Sequence, residues 1–132
     1  MASIFSKIVA GDIPCHRIAE NDEFLAFLDI NPLAEGHTLV IPKTEVDYFF
    51  DLDARLLSRI NLFAQDVAQK IEAAIPCKRV GVAVIGLEVP HAHMHLIPLQ
   101  NIADINFERP KLTFTADELA ATAERIKRAD HA

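Results

Sequence analysis

The sequence of 132 residues predicts an α+β fold, with an antiparallel β-sheet of about five strands, one long central helix and short N- and C-terminal helices. Two observations predict this class. Apolar residues recur at helical spacings near the start, in the middle and near the end of the chain. Between these regions lie short β-branched or alternating runs, separated by turn residues. An order of helix, strands, helix, strands and helix is typical of α+β proteins.

The first part of the chain predicts a short helix followed by a hairpin. Residues 3–10 place their apolar side chains on one helical face, and Gly11 is suited to end the helix. Strands are expected over residues 16–19 and 23–30, with the turn signal Asn21-Asp22 between them. We expect these two strands to pair in an antiparallel fashion.

The later elements alternate between strands and helices. Residues 37–43 have a β-branched centre that predicts a buried strand, and apolar residues from Asp53 to Ile75 recur at spacings of three and four, which predicts a long helix. The nearly all-apolar run at residues 80–85 predicts a central strand covered on both sides. Residues 91–99 predict a further strand, and a capping box predicts a last helix over residues 115–129.

The composition indicates a globular protein and excludes some partners. The chain is 51% hydrophobic and 24% charged, and 13 Lys+Arg against 19 Asp+Glu give a formal net charge of −6. Nucleic-acid polymers and anionic membranes both attract basic surfaces, so neither is an expected partner. The N-terminus lacks the layout of a signal peptide. Cys15 and Cys77 are read as ordinary thiols in a reducing cytoplasm.

Three histidines alternate along one predicted strand. Because successive strand residues point to opposite faces, His91, His93 and His95 are expected to share a face, with Ala92 and Met94 on the other. These histidines could simply be structural. They could also bind Zn²⁺, although three ligands from one strand make an awkward tetrahedral set. A third possibility is nucleophilic attack by one imidazole at phosphorus, with its neighbours stabilising the phosphoryl oxygens and the leaving group.

The stretch His91-Ala92-His93-Met94-His95-Leu96-Ile97 resembles the signature of the histidine triad (HIT) superfamily, which includes the Hint- and Fhit-like nucleotide hydrolases. Upstream segments resemble the same family: residues 4–14 its opening segment, residues 27–32 its nucleoside-binding strand and turn, and residues 36–43 its next strand. The resemblance implies a HIT-like fold in a single domain over residues 1–132. The core would span about 4–98, and a C-terminal extension would carry the helix at about 115–129.

The resemblance also implies a catalytic set of four histidines. His93 would be the nucleophile that takes the α-phosphate, with His95 and His37 flanking the phosphate and His91 fixing the nucleophile's tautomer. Asp29 would accept hydrogen bonds from the ribose hydroxyls, or alternatively form an Asx turn. An apolar site for the base, whose members also suit core packing, would be formed by Ile4, Phe5, Ile8, Phe27 and Ile30.

Departures from the family pattern affect metal binding and turnover. Some members hold zinc through two cysteines and a histidine, where this chain has Ser3, Ser6 and Glu45, so neither metal nor cofactor is expected. Leu87 and Glu88 precede the triad in place of hydrogen-bonding residues. The resemblance implies a cytoplasmic, homodimeric hydrolase or transferase of purine nucleotide derivatives. The alternative is a purine-nucleotide-binding or partner-binding module with little turnover.

Overall fold

A computed structural model of the protein describes residues 2–129. Five strands form one sheet, and three α-helices pack against it. Two short 3-10 turns, at Phe49–Asp51 and Ile102–Ile105, were not predicted from the sequence. The regular elements are α1 (Ile4–Ala10), β1 (Arg17–Glu20), β2 (Phe24–Leu28), β3 (Thr38–Pro42), α2 (Ala54–Ala74), β4 (Arg79–Ala83), β5 (Met94–Leu99) and α3 (Ala116–Arg128).

The sheet is antiparallel throughout, with strand order β1-β2-β3-β5-β4. This architecture confirms the predicted α+β class with about five strands and a long helix. The central position of β5 follows from its pairing with β3 on one side and β4 on the other. His95 lies opposite Leu39 of β3 and Ala83 of β4, so its side chain points to the same sheet face as that of Leu39.

Both faces of the sheet are covered, which explains why every residue of β2 is buried. Phe24, Ala26 and Leu28 contribute to the main apolar core with residues of α2 and α3. Leu25 and Phe27 point to the other face and pack in a smaller apolar cluster with residues of α1. The alternation of strand side chains therefore divides the molecule into a helix-covered core and a second face on which α1 lies.

Helix ends follow the capping residues that the sequence offers. Gly11 ends α1 with φ of 86°, in the left-handed region that favours glycine. The side chain of Asp53 accepts a hydrogen bond from the Leu56 backbone N–H at the start of α2. Thr115 and Glu118 form the predicted capping box of α3.

Gly36 shapes the connection between β2 and β3. It has φ of 91°, and a Cβ atom there would lie 3.0 Å from Cγ1 of Ile75. Any side chain would therefore strain the backbone and press against the end of the α2 region. The glycine lets the chain turn immediately before His37.

Two predicted strands differ from the structure. β4 is an edge strand rather than a central one, and the Val82 side chain is 58% exposed. The apolar run 80–85 indicated burial, but sheet order depends on long-range pairing that this local pattern does not encode. The triad strand begins at Met94 rather than His91, because the preceding residues take hydrogen bonds outside the ladder.

Within the part of the chain that the structure describes, none of the helices combines the length and apolar character needed to cross a membrane.

Candidate functional site

A cleft of about 550 Å³ opens on the sheet face that carries α1. Its walls come from α1, the end of β2, the loop before the triad and the segment that follows β5. The cleft is lined by all six residues predicted to bind the nucleotide and by three of the four predicted catalytic histidines: Ile4, Phe5, Ile8, Phe27, Asp29, Ile30, His37, His93 and His95. His91 is fully buried behind this surface. The structure thus brings together residues separated by up to 91 positions along the chain.

The His93 ring is fixed by the backbone of the residue two positions earlier. Its Nδ1 lies 2.7 Å from the carbonyl oxygen of His91. A carbonyl can only accept, so Nδ1 carries the proton and Nε2 keeps its lone pair in the neutral ring. The ring lines the cleft and is 7% exposed. An imidazole held in this tautomer can act as a nucleophile through Nε2.

His91 is held by two hydrogen bonds of its own. Its Nε2 donates to the carbonyl oxygen of Pro42 at 2.8 Å, and its Nδ1 accepts from the Ser3 hydroxyl at 2.7 Å. Burial lowers the pKa of His91, which favours this neutral form. The contacts fix the backbone of His91 and therefore the carbonyl that orients His93.

Glu45 ties α1 to this arrangement. Its Oε1 accepts hydrogen bonds from the Ser3 backbone N–H at 2.6 Å and from the Ser6 hydroxyl at 2.7 Å. The bond from the Ser3 N–H and that from the Ser6 hydroxyl lower the pKa of Glu45 to about 2. The Glu45 carboxylate and the hydroxyls of Ser3 and Ser6 thus join the first helix to His91. These are the three positions that carry zinc ligands in some HIT proteins.

A chain of hydrogen bonds leads from the backbone to His95. The Leu33 N–H donates to Nδ1 of His37 at 3.0 Å, so the proton of the neutral His37 ring is on Nε2. That Nε2–H donates to Nδ1 of His95 at 2.9 Å. His95 must therefore carry its own proton on Nε2, where it can serve as a donor. We call these three residues the Leu33–His37–His95 relay.

Burial keeps both rings of the relay neutral. Desolvation, together with the nearby His95 and Lys111, lowers the pKa of His37 to about 3. Desolvation, together with His93 and Lys111, lowers the pKa of His95 to about 4. At neutral pH the relay is thus a line of uncharged donors and acceptors rather than a cluster of cations.

Asp29 forms the Asx turn that was one of its two predicted roles, and it also lines the cleft. Its Oδ1 accepts from the Asn31 backbone N–H at 2.9 Å, which is an Asx turn. Its Oδ2 lies 3.6 Å from Nε2 of His37, and the residue lines the cleft. Burial is the main cause that raises the pKa of Asp29. Each carboxylate oxygen still has a lone pair available to a ligand hydroxyl.

The apolar wall of the cleft combines buried and exposed side chains. Phe5, Ile8 and Phe27 belong to the smaller apolar cluster, and the Phe5 ring contacts that of His93 edge-on at 5.0 Å between centroids. Ile4 and Ile30 line the same cleft but are 49% and 62% exposed. A flat apolar ligand would cover these exposed isoleucines, which core packing does not use.

Two residues of the wall come from a segment that the sequence left unassigned. Phe107 and Lys111 line the cleft, and the Phe107 ring packs edge-on against that of His95 at 4.7 Å. Ile13, Pro14 and Cys15 also line it. Residues 106–114 have no regular periodicity, so no local pattern in the sequence indicated that Phe107 and Lys111 line the cleft.

Comparisons of sequence and structure find matches among known proteins. Residues 10–102 match the family model for the HIT domain. The chain belongs to the HIT family. It is 36% identical over 102 residues to an uncharacterized HIT-like protein of Helicobacter pylori, covering 72% of this chain and 94% of that protein. It is 34% identical over 132 residues to an adenosine 5'-monophosphoramidase of Schizosaccharomyces pombe, with 96% of each chain covered.

A solved HIT structure shares the fold over nearly the whole chain. The crystal structure of a Hit-like protein involved in cell-cycle regulation from Bartonella henselae superposes with a TM-score of 0.81 at 30% identity, covering 95% of this chain and 94% of that one. The five-stranded antiparallel sheet and central helix described above are therefore the HIT fold.

The zinc site of some HIT proteins does not fit the residues of this chain. Ser3 and Ser6 supply hydroxyls instead of thiolates, and the Glu45 carboxylate is already bonded to both serines. A second set, Asp29, His37 and His95, has ligand atoms within 4.8 Å of one another. Binding a metal through Nε2 of His37 would place the ring proton on Nδ1, against the Leu33 N–H. Neither set is suited to a metal.

The lowered pKa values of the relay predict acid sensitivity. Below about pH 6.5 the unfolded chain protonates His37 and His95, while the folded protein does so only near pH 3 and pH 4. The unfolded state then binds more protons, so the free energy of unfolding falls as pH falls through this window. At pH 4.5 His37 alone accounts for a loss of roughly 3 kcal/mol.

Urea titrations at pH 7 and pH 4.5 measure this loss directly. The raised pKa of Asp29 acts in the opposite direction, because above its ordinary value of 3.8 the folded protein binds this proton before the unfolded chain does. A His37→Phe variant should show a smaller loss between the two pH values than the unsubstituted protein. Equal stability of the unsubstituted protein at both pH values would contradict the assigned protonation states.

Proposed function

We propose that the protein is a hydrolase or transferase acting at the α-phosphate of purine nucleotide derivatives, such as phosphoramidates, adenylates or dinucleoside polyphosphates. One observation carries the proposal. His93 is held by the His91 carbonyl with an unprotonated Nε2, beside His95, whose relay leaves it a proton to donate. The His93 imidazole can attack the phosphorus, and the His95 N–H can stabilise the charge that develops on the phosphoryl oxygens in the transition state.

The reaction proceeds in two displacements. The lone pair of His93 Nε2 attacks the α-phosphorus. The bond from phosphorus to the leaving nitrogen or oxygen breaks with its electron pair going to that atom, which takes a proton from solvent. Water then attacks the phosphorus of the nucleotidyl-histidine and releases a proton to solvent, and the P–N bond breaks with its electron pair returning to His93 Nε2. Throughout, the His95 Nε2–H donates to a non-bridging oxygen.

The other predicted site residues position the catalytic histidines or bind the substrate. His91 is a positioning residue, since it reaches His93 only through its carbonyl. His37 is also a positioning residue, because both of its ring nitrogens are already bonded. Asp29 accepts hydrogen bonds from the ribose hydroxyls, and the base lies against the apolar wall that includes Ile4 and Ile30.

The relative from S. pombe supports enzymatic turnover, while the loop before the triad supports the alternative of a nucleotide-binding module. Leu87 lines the cleft with 88% of its side chain exposed and cannot donate a hydrogen bond. Glu88 also lines it and would repel phosphate. A binding module would bind AMP without converting AMP conjugates.

Incubation with adenosine 5'-phosphoramidate, followed by chromatography for AMP, separates the two possibilities. We expect AMP release with multiple turnovers. A Leu87→Gln variant serves as a comparison, since it restores a donor at the loop and should raise the rate if this position limits turnover. AMP binding by calorimetry with no AMP release from the conjugate would refute the enzymatic proposal.

We further propose a homodimer that joins two sheets at β4. Val82, Val84 and Ile85 at this edge are 58%, 39% and 45% exposed. Such an apolar edge is prone to pair with another strand, and a second copy would complete it. Sedimentation should report a dimer at micromolar concentration, and Val82→Lys should shift it to monomer. A monomer for the unsubstituted protein would refute this.

We also propose that residues 1–132 form one HIT domain with its core at about 4–98. The C-terminal extension lines the same cleft as the core, which supports treating the two as one unit. Cys15 and Cys77 are free thiols, which supports a cytoplasmic location in a reducing environment.

A further inference from the structure

The segment after β5 is a built part of the cleft rather than a loose tail. Asn101 and Asp104 form a capping box for the 3-10 turn that starts it. Further along, the Leu112 backbone N–H donates to the carbonyl of Pro32 at 2.8 Å. This bond anchors the segment to the loop that follows Asp29. Residues between these two anchors therefore have a defined position beside the proposed catalytic histidines.

Aromatic rings form a row across the cleft. Successive ring centroids are separated by 5.0 Å from Phe5 to His93, 5.1 Å from His93 to His95, and 4.7 Å from His95 to Phe107. Lys111 stands at the Phe107 end, with Nζ 5.7 Å from the ring centroid and donating to the Phe107 carbonyl at 2.6 Å. The row runs from the apolar wall, past the nucleophile, to an ammonium group.

Lys111 has an unusual position in the charge distribution of the cleft. Among residues 2–129, it is the one Lys or Arg that lines the cleft, where Asp29 and Glu88 are acidic. Its positive charge lowers the pKa of both His37 and His95, so it lies within electrostatic reach of the relay. It forms no ion pair with a described residue and donates to a neutral carbonyl. Its charge also lowers the pKa of Asp29, but no carboxylate of a described residue is bonded to its ammonium group, which can therefore pair with a ligand.

We propose that Lys111 binds an oxyanion on the leaving-group side of the α-phosphate, so that preferred substrates carry a carboxylate or a further phosphate there. This inference rests on the proposed function, which places the base at the Phe5 end and the α-phosphate at His93. A leaving group then extends toward the other end of the row, where Phe107 and Lys111 lie. Phe107 supplies an apolar surface for the organic part of that group, and Lys111 pairs with its charge.

Adenosine 5'-phosphoramidates of an amino acid and of its methyl ester test this directly, because they differ only in the carboxylate. We expect Lys111→Met to raise KM for the free-acid substrate by about fivefold to tenfold, with kcat changed less than twofold. The ester substrate should keep its kcat and KM within twofold. Lys111→Arg should restore most of the loss, and Lys127→Met on the far α3 serves as the matched control.

Diadenosine tetraphosphate distinguishes the two sources of the oxyanion. A Lys111 effect on the amino-acid conjugate alone identifies a carboxylate site, whereas an effect on the polyphosphate alone identifies a phosphate site. Equal changes for the acid and the ester, or no change for either charged substrate, would overturn the proposal. If the unsubstituted protein turns over none of these compounds, the proposed function fails instead. In that case, calorimetry can compare the affinities of the unsubstituted protein and Lys111→Met for the acid and for the ester.

Discussion

Replacing His93 by alanine is expected to lower kcat for adenosine phosphoramidate by about 10⁴-fold. The variant loses the imidazole that the His91 carbonyl holds with its Nε2 unprotonated. His95 cannot substitute for it, because its Nδ1 accepts from His37 and its Nε2 carries the proton. AMP affinity should change by only a few-fold, since the apolar wall and Asp29 remain in place.

Steady-state kinetics and AMP calorimetry on the same preparation separate loss of chemistry from loss of the site. A His16→Ala variant is the matched control, because His16 lies before β1 and outside the cleft. It should keep the kcat of the unsubstituted protein. Substantial phosphoramidase activity in the His93→Ala protein would exclude His93 as the nucleophile.

Replacing His37 by phenylalanine is expected to lower kcat by about 100-fold. Phenylalanine has similar volume but can neither accept from the Leu33 N–H nor donate to His95 Nδ1. The His95 ring then loses the bond that fixes its proton on Nε2. The free energy of unfolding should also fall by about 2 kcal/mol, because two buried polar groups lose their partner.

The pH dependence of kcat distinguishes a positioning role from a merely structural one. Without His37, the Nδ1 atom of His95 no longer accepts a hydrogen bond that stabilises the neutral ring, so the acid limb of the profile should move to higher pH. His16→Phe is the matched substitution outside the relay. A His37→Phe protein with normal kcat and an unchanged profile would show that the relay has no part in turnover.

Local sequence signals were sufficient for the elements that depend on local chemistry. Gly11, Asp53 and Thr115 end or begin the helices where the sequence predicts, because caps act on neighbouring backbone groups. The alternation of His91, His93 and His95 correctly indicated a shared face, even though the strand itself begins at Met94. The shared side is visible in the ring contacts, because the Phe5 ring packs against those of His91 and His93, and the His95 ring packs against that of His93.

Features that depend on long-range contacts could not be predicted from local sequence patterns. The apolar run 80–85 predicts a strand, but an edge strand that exposes apolar residues has the same pattern as a central one. Phe107 and Lys111 reach the cleft because the Leu112 N–H bonds to Pro32, eighty positions earlier, and no local pattern encodes that contact. The protonation states of the relay likewise depend on burial, which sequence spacing does not give.

The covalent intermediate is the central claim, and intact-mass measurement after rapid quenching tests it most directly. The protein would be mixed with an aminoacyl-adenylate analogue, quenched within seconds at neutral pH, and compared with His93→Ala treated identically. We predict a mass increase of one AMP that is labile in acid and absent from the variant. An adduct of equal yield on His93→Ala, or AMP release with no adduct on the unsubstituted protein at any time, would contradict nucleophilic catalysis by His93.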